Sequence, residues 1–156
     1  MLQQGDTIPK NIKLMSESGE EVTLKDYLKQ PVVLYFYPKA LTEGCTIESC
    51  QFRDFNKDIK KLGYKVVGIS ADPVKKLKKF KEKEHLNFEL LGDESHELLE
   101  AFGLWAEKSM FGRKYMGILR TTFLVSKEGE IEKVWENVKP EGHAKEVYDY
   151  LLTVNS

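Results

Sequence analysis

The strongest constraint on the fold is an unbroken apolar segment, Val32–Tyr37, between Pro31 and Pro38. Its β-branched and aromatic residues favour a strand, and the lack of alternation is typical of a central strand covered on both faces. Lys65–Ser70 has the same character and predicts a second buried strand. Between them, apolar residues at near-helical spacing predict a helix over Thr46–Leu62. This order predicts two parallel strands joined by a crossover.

The rest of the chain continues the alternation of helices and strands. Asp72 and Pro73 offer an N-cap and a first-turn proline for a helix that runs to about His85. The later predicted elements are a short strand, a short helix, an antiparallel hairpin and a final helix, over Phe88–Leu91, His96–Phe102, Thr121–Val125 with Ile131–Trp135, and Glu141–Leu152. Gly103–Gly117 has no clear pattern, and we expect a surface loop packed by its aromatic side chains.

Near the start of the chain, Ile12–Met15 and Glu21–Leu24 frame a polar turn and predict another hairpin. Together these elements predict an α/β fold with a mixed central sheet, helices on both faces and an N-terminal β-hairpin extension. This is the thioredoxin-like arrangement. Because the sequence contains no repeat, no low-complexity linker and no composition break, we expect a single domain over residues 1–156.

Charge and composition exclude several classes of protein. The chain carries 24 Lys and Arg against 25 Asp and Glu, a net charge of −1, so general nucleic-acid binding is not expected. A basic run at 75–83 is interleaved with apolar residues at helical spacing, and we interpret it as a solvated helix face. The longest apolar run is too short to span a membrane, and no signal peptide is visible. We therefore expect a cytoplasmic protein without a membrane partner.

The chain has two cysteines, too few for a disulfide-stapled scaffold or a four-thiolate zinc site. Cys45 follows the first buried strand through a short turn and lies where the next helix should begin. The free N–H groups and the positive dipole end of a helix favour the thiolate form there. Thr42 could cap the helix and turn its hydroxyl toward the sulfur. We expect an accessible, reactive thiol beside Gly44, and the alternative is an inert buried cysteine.

Cys50 lies five residues after Cys45. On an ideal helix this spacing gives roughly 7.5 Å of rise and about 140° of rotation, so the Cα atoms would be roughly 8.7 Å apart. A disulfide needs about 4.4–6.8 Å between Cα atoms. The two thiols therefore cannot pair while the helix is intact, and pairing requires its first turns to unwind. The alternative is that Cys50 is a small core residue. The spacing also disfavours a metal site, and none is expected.

The residues around Cys45 resemble the active-site motif of the peroxiredoxins, in which proline, threonine and cysteine have the spacing of Pro38, Thr42 and Cys45. The second cysteine five residues on is similar to the bacterioferritin-comigratory-protein, or peroxiredoxin Q, branch. The resemblance covers most of the chain, and the residues that carry it are Val33–Lys39, Thr42, Gly44–Thr46, Glu48, Cys50, Phe52–Asp54, Gly63–Tyr64, Val67–Ser70, Lys114–Ile118, Arg120–Leu124 and Gly142–Ala144.

The resemblance implies a thiol peroxidase that uses no cofactor. Cys45 would attack a hydroperoxide and become a sulfenic acid, while Thr42 and Arg120 would bind the peroxide and the thiolate and Pro38 would shield the sulfur. Cys50 would then form an intramolecular disulfide with Cys45, and thioredoxin or a similar dithiol donor would reduce it. Because both thiols lie in one chain, we expect a monomer.

The sequence departs from the family motif at Glu43, and it is compatible with two other functions. Glu43 stands where the family usually has proline, and its charge should oppose the thiolate unless it faces solvent. A redox sensor or holdase could use the same two cysteines as a conformational switch without turnover. A metal-binding thioredoxin-like module is a third alternative, which the spacing of the cysteines weakens.

Overall fold

The computed structural model describes residues 1–155. Within them, the strands are β1 (Leu14–Ser16), β2 (Glu21–Val22), β3 (Val32–Phe36), β4 (Lys65–Ser70), β5 (Glu89–Gly92), β6 (Trp105–Met110), β7 (Arg113–Ile118), β8 (Thr121–Val125) and β9 (Ile131–Trp135). The α-helices are α1 (Glu43–Lys61), α2 (Val74–Lys83), α3 (Glu97–Phe102) and α4 (His143–Val154), and Leu24–Tyr27 forms a 3₁₀-helix. Among these helices, none is long and apolar enough to cross a membrane.

One mixed sheet contains seven of the described strands in the order β2-β1-β5-β4-β3-β8-β9. β3 pairs in parallel with β4, which pairs in parallel with β5, and β8 adds to the other side of β3 in antiparallel orientation. All five residues of β3 are buried. The continuous apolar segment is therefore a central strand, as predicted, because helices and loops cover both faces of the sheet.

Two apolar clusters lie on opposite faces of this sheet. One face packs against α1, α2 and α4 through side chains such as Phe52, Phe80 and Val147. The other face packs against α3 and the 3₁₀-helix through side chains such as Leu99, Phe102 and Leu24. The predicted mixed sheet with helices on both faces is confirmed.

A glycine in β4 brings the aromatic residue of β3 into contact with α1. Gly68 is paired with Tyr35, and a Cβ at Gly68 would lie 2.7 Å from the Tyr35 ring. The hydroxyl end of the ring therefore lies against the β4 backbone, where only hydrogen fits. The Tyr35 hydroxyl reaches Ser49 Oγ at 2.8 Å, one turn of α1 beyond Cys45. The central strand thus holds the first turns of α1 in register with the sheet.

The structure overturns the expectation of an irregular loop at 103–117. β6 and β7 form a separate antiparallel hairpin, closed by a turn in which Phe111 and Gly112 have positive φ. Phe111 is 98% exposed, so the predicted aromatic packing is wrong for this residue, while Trp105 stacks on His96 at a centroid distance of 3.8 Å. Apart from Trp105 and Ile118 at its base, the hairpin does not pack in the core. Polar residues therefore occupy both faces, and the alternation that predicts a strand is absent.

Element boundaries differ from the predicted ones by up to three residues. α1 begins at Glu43 and not at Thr46, and α4 begins at His143 and not at Glu141. The N-terminal hairpin is confirmed but short, because Leu24 already belongs to the 3₁₀-helix. The predicted N-cap of α2 is also wrong: Pro73 occupies the cap position, and the Asp72 carboxylate bonds elsewhere.

Candidate active site

Cys45 lies in the first turn of α1, after the segment 37–42 that leaves β3, which we call the active-site loop. Thr42 is the N-cap residue, with extended φ and ψ of −87° and 158°. The position at the start of a helix that follows the carboxyl end of a parallel strand is the predicted one. In open α/β sheets this edge is where functional sites form.

The expected accessibility of Cys45 is wrong, since the residue is only 1% exposed. The active-site loop folds back over the sulfur, and its Ala40 is also buried in the same apolar cluster. A glycine beside the cysteine does not expose it, because the space at Gly44 is filled by Arg120 and Pro140, each 3.3 Å from where a Cβ would lie. Only a small group could approach the sulfur in this conformation.

Two hydrogen-bond donors reach the sulfur of Cys45. The backbone N–H of Lys39 lies 3.5 Å from Sγ, and Arg120 Nη2 lies 3.4 Å from it. The N-terminal end of α1 adds its own positive partial charge at this position. All three favour negative charge on the sulfur, which is the nucleophilic form of a cysteine.

A buried carboxylate on α1 holds the Arg120 side chain. Glu48, one turn after Cys45, is fully buried and accepts a hydrogen bond from Arg120 Nη1 at 2.6 Å. Burial raises the pKa of Glu48 to about 7, even though Arg120 opposes the shift. Its second oxygen, Oε2, has no hydrogen-bond partner among residues 1–155. One guanidinium therefore bridges a carboxylate and the candidate nucleophile with its two terminal nitrogens.

Arg120 itself is mostly buried, with 16% of its side chain exposed. Burial disfavours its charge, but the Cys45 and Glu48 groups outweigh that cost and raise the pKa of Arg120. Lys108, on β6, adds a further positive charge near this position. The pKa of Lys108 is lowered, because burial and the charge of Arg120 together outweigh the opposing effect of Cys45. The site is therefore electropositive around one sulfur.

The structure places Thr42 and Pro38 around the same turn, with partly different contacts from those expected. The Thr42 hydroxyl donates to the Lys39 carbonyl at 2.7 Å and makes no cap hydrogen bond, so the predicted side-chain cap is wrong. The reason is that the active-site loop curls back and brings this carbonyl closer than the first-turn N–H groups. Pro38 is half-buried. It directly precedes Lys39, the residue whose N–H reaches the sulfur.

Cys50 lies on the same helix but has a very different environment. It is half-buried, and its Sγ donates to Glu84 Oε1 at 3.6 Å. Burial raises the pKa of Cys50, Arg53 opposes this, and Glu84 adds to it. Arg53 Nη1 also donates to the Glu84 carbonyl at 2.6 Å, which ties α1 to the end of α2. Both cysteines are free thiols on one intact helix, so the separation required by the spacing argument is present.

Several other predictions are confirmed. The lysines of α2 are mostly exposed while Leu77 and Phe80 are buried, so the basic run is a solvated helix face. The buried ring of His143, for which the sequence predicted no role, bonds to Thr122 Oγ1 at 2.7 Å and to Glu146 Oε1 at 3.0 Å. Glu43 is exposed at the helix start. Its charge therefore faces solvent and suits the helix dipole.

The sequence did not predict the contribution of three residues that shape this site. Glu48 carried a usable signal, because a helix places residues i and i+3 on one face and Cys45 is three positions earlier. Lys108 carried none, because its hairpin was not recognised. Asp72 was interpreted as a helix cap, but its carboxylate accepts the Ala40 N–H of the active-site loop at 2.7 Å. Among residues 1–155, no group of three metal-ligating side chains comes together.

Comparisons with known proteins identify relatives of this chain. Residues 5–134 match the AhpC/TSA family. The chain is 47% identical over 150 residues to peroxiredoxin Bcp of Escherichia coli K12, covering 96% of each chain.

Two solved structures are similar over nearly the full length. One is a PrxQ mutant of Xylella fastidiosa, with a TM-score of 0.93, 34% identity and 100% and 99% of the two chains covered. The other is the bacterioferritin comigratory protein of Xanthomonas campestris, described with its alkyl peroxide reduction activity, with a TM-score of 0.87, 34% identity and 97% and 100% covered. These neighbours confirm the predicted thioredoxin-like α/β class.

Proposed function

This chain belongs to the AhpC/TSA family and is a thiol-dependent peroxidase of the Bcp, or peroxiredoxin Q, branch, and we propose that Cys45 is its peroxide-attacking residue. The observation that carries this assignment is the convergence of two donors on its sulfur, from Lys39 and Arg120. Cys50 has a carboxylate as its neighbour instead, so the two thiols are not interchangeable.

In the first step, the Cys45 thiolate attacks the terminal oxygen of a hydroperoxide. The S–O bond forms as the O–O bond breaks, so that Cys45 becomes a sulfenic acid and the leaving alkoxide or hydroxide takes up a proton. Negative charge moves from sulfur to the leaving oxygen. Donors that are already fixed beside the sulfur stabilise that charge without reorganising, which lowers the barrier.

Arg120 is the principal donor in this proposal. Its Nη2 is at 3.4 Å from the sulfur, and the contact between Nη1 and Glu48 keeps the guanidinium plane fixed. Pro38 and the rest of the active-site loop exclude bulk water, which strengthens these electrostatic interactions. The Thr42 hydroxyl lies on the same turn, and we propose that it contacts the bound peroxide.

In the second step, the Cys50 thiol attacks the sulfenic sulfur. A disulfide forms between Cys45 and Cys50, and water leaves. Because an intact α1 holds the two residues apart, the first turns of the helix must unwind before this step. A dithiol donor of the thioredoxin type then reduces the disulfide by exchange and returns both thiols.

The partners and the compartment follow from this cycle. We propose hydrogen peroxide and organic hydroperoxides as substrates, and neither nucleic acid nor membrane as a partner. A monomer suffices, since both redox-active thiols belong to one chain. We propose a cytoplasmic location because the cycle depends on a reducing dithiol pool.

The assignment is tested by peroxide consumption coupled to thioredoxin, thioredoxin reductase and NADPH. We expect Cys45→Ser to lower the rate at least about 10³-fold, as removal of a nucleophile does in other enzymes. We expect Cys50→Ser to reduce one peroxide per chain and then stop. Cys50→Ser is thus the matched control, because it removes a thiol from the same helix and retains the first step.

Two results would contradict this proposal. Full turnover by Cys45→Ser would place the chemistry on another residue. Continued thioredoxin-dependent turnover by Cys50→Ser at the parent rate would show that Cys50 does not resolve the sulfenic acid.

A further inference from the structure

A buried carboxylate attaches the middle of the active-site loop to the sheet, beyond the backbone bond from the Tyr37 N–H to the Ile69 carbonyl at 3.1 Å. Asp72, just after β4, is 7% exposed, and its Oδ2 accepts the Ala40 N–H at 2.7 Å and the Ser70 hydroxyl at 2.8 Å. Ala40 is 3% exposed. A buried backbone N–H needs an acceptor, and here a side chain from another element provides it.

The position of Asp72 is itself rigid. A Cβ at Gly92 would lie only 2.3 Å from the Asp72 carbonyl oxygen, so β5 packs directly against this backbone. The Asp93 N–H also donates to the Ser70 carbonyl at 2.8 Å, which joins the ends of β4 and β5. The carboxylate therefore projects from a fixed part of the sheet toward a loop that has to move.

The loop it holds has an unfavourable backbone conformation. Leu41, the residue after Ala40, has a φ of +68°, in the left-handed region that branched, non-glycine residues rarely adopt. Such a conformation persists only where surrounding contacts impose it. When the Ala40 bond is released, the N–H turns to water and the backbone at Leu41 relaxes, so both changes favour the open loop.

We propose that Asp72 is a positioning residue that holds the active-site loop closed over Cys45 and so sets how long the sulfenic acid persists before Cys50 reaches it. The inference rests on the proposed function. Asp72 contacts neither sulfur. It acts through the Ala40 backbone on the equilibrium between the folded first turn of α1 and the unwound form that disulfide formation requires.

Two reactions compete for the sulfenic acid, and Asp72 decides between them. In the unwound form, Cys50 attacks, the S–S bond forms and water leaves. In the folded form, a second hydroperoxide transfers an oxygen to sulfur, which gives the sulfinic acid and an alcohol or water. A tighter loop therefore favours overoxidation, and a looser loop favours the disulfide.

The test measures the partition of the sulfenic acid between the disulfide and the sulfinic acid. Mass spectrometry of the intact protein under thioredoxin-coupled turnover distinguishes the two products. Removing a hydrogen bond to a charged acceptor shifts a conformational equilibrium about tenfold or more. For Asp72→Ala, we expect the peroxide concentration that converts half of the chains to the sulfinic acid to rise about tenfold. Asp72→Asn keeps an acceptor without the charge, so it should lie between the parent and Asp72→Ala.

Asp93 provides the matched control. It is 1% exposed just after the neighbouring strand β5, and its Oδ2 accepts the Leu99 N–H at 2.8 Å, so it holds the first turn of α3 instead. Asp93→Ala should lower the free energy of unfolding comparably but leave the partition at the parent value. This separates a loss of general stability from a release of the active-site loop.

The proposal is overturned if Asp72→Ala gives the parent partition, or if Asp93→Ala shifts it equally. Should Asp72→Ala fail to fold, an unchanged partition in Asp72→Asn overturns it instead. A dimedone-type probe for sulfenic acid, used in a Cys50→Ser background, tests the first step separately. If Cys45 is not labelled there, the proposed function fails, whereas labelling with an unchanged partition rejects only the role of Asp72.

Discussion

The two cysteines of α1 are five residues apart and have different electrostatic environments. The sulfur of Cys45 lies beside an arginine and a backbone N–H, at the positive end of the helix. The sulfur of Cys50 lies beside the carboxylate of Glu84, and its pKa is raised by burial and by that carboxylate. The same residue type thus has two hydrogen-bond donors at its sulfur in one turn and a carboxylate at its sulfur in the next.

This difference would separate the two steps of the proposed cycle. In that cycle, the folded helix offers Cys45 to a peroxide and keeps Cys50 out of reach, and unwinding brings the two sulfurs together. The proposed order of events therefore depends on the environments of the two thiols.

Substitution of Arg120 has the largest expected effect on the difference between the two cysteines. Arg120→Gln removes the charge beside Cys45, and loss of one such donor costs about 10²–10³ in rate in other enzymes. We expect that reduction in the second-order rate of Cys45 oxidation, measured by stopped-flow tryptophan fluorescence. Arg53→Gln is the control, since it removes an arginine near Cys50 and should leave the peroxide step unchanged. Equal losses in the two variants would show that Arg120 has no special role at Cys45.

Glu48 should make the stability of the fold depend on pH. Its pKa is raised to about 7 in the folded chain, so its contribution to stability is complete below about pH 4.5 and is lost as the pH rises through 7. From pH 5 to pH 8, we expect this group alone to lower the free energy of unfolding by about 2 kcal/mol.

Urea unfolding of the parent and of Glu48→Gln at several pH values measures this contribution. The loss between pH 5 and pH 8 should be about 2 kcal/mol smaller in Glu48→Gln. Glu43→Gln, at an exposed position on the same helix, should retain the parent's pH dependence. A parent-like slope in Glu48→Gln would mean that Glu48 remains ionised in the fold throughout this range.

Substitution of Glu84 has the smallest expected effect, and it acts on Cys50. Glu84→Gln removes the carboxylate that helps to raise the pKa of Cys50, so we expect that pKa to fall and the thiolate fraction at neutral pH to rise. The rate of Cys50 alkylation against pH in a Cys45→Ser background measures it. Glu82→Gln changes an exposed glutamate on α2 and should have no effect. An unchanged alkylation profile in Glu84→Gln would show that Glu84 does not affect the pKa of Cys50.

Much of this fold could be predicted because its strongest patterns are local. The apolar segment at 32–37 contains the buried central strand β3, and both partners of the hairpin β8–β9 have the predicted bounds. The hairpin β6–β7 could not be predicted in the same way. It is stabilised mainly by pairing between its own strands, with residues exposed on both faces, so no alternation marks it.

The candidate site also has features that could be predicted from local sequence and features that could not. The positions of Cys45 at a helix start and of Cys50 five residues later depend only on the order of residues in one segment. The burial of Cys45 and the interactions of Glu48 and Asp72 depend on groups far away in sequence. A sequence segment does not reveal which distant side chain will fill the space beside it.

The sequence by itself determined the α/β order, the pair of thiols and their separation on a helix, because helical geometry fixes distances within one segment. The tertiary structure alone decided how the two thiols differ. Arg120 reaches Cys45 from a separate loop before β8, and Glu84 reaches Cys50 from the end of α2. The chemical character of each sulfur is set by charges within a few ångströms of it, and folding brings those charges there.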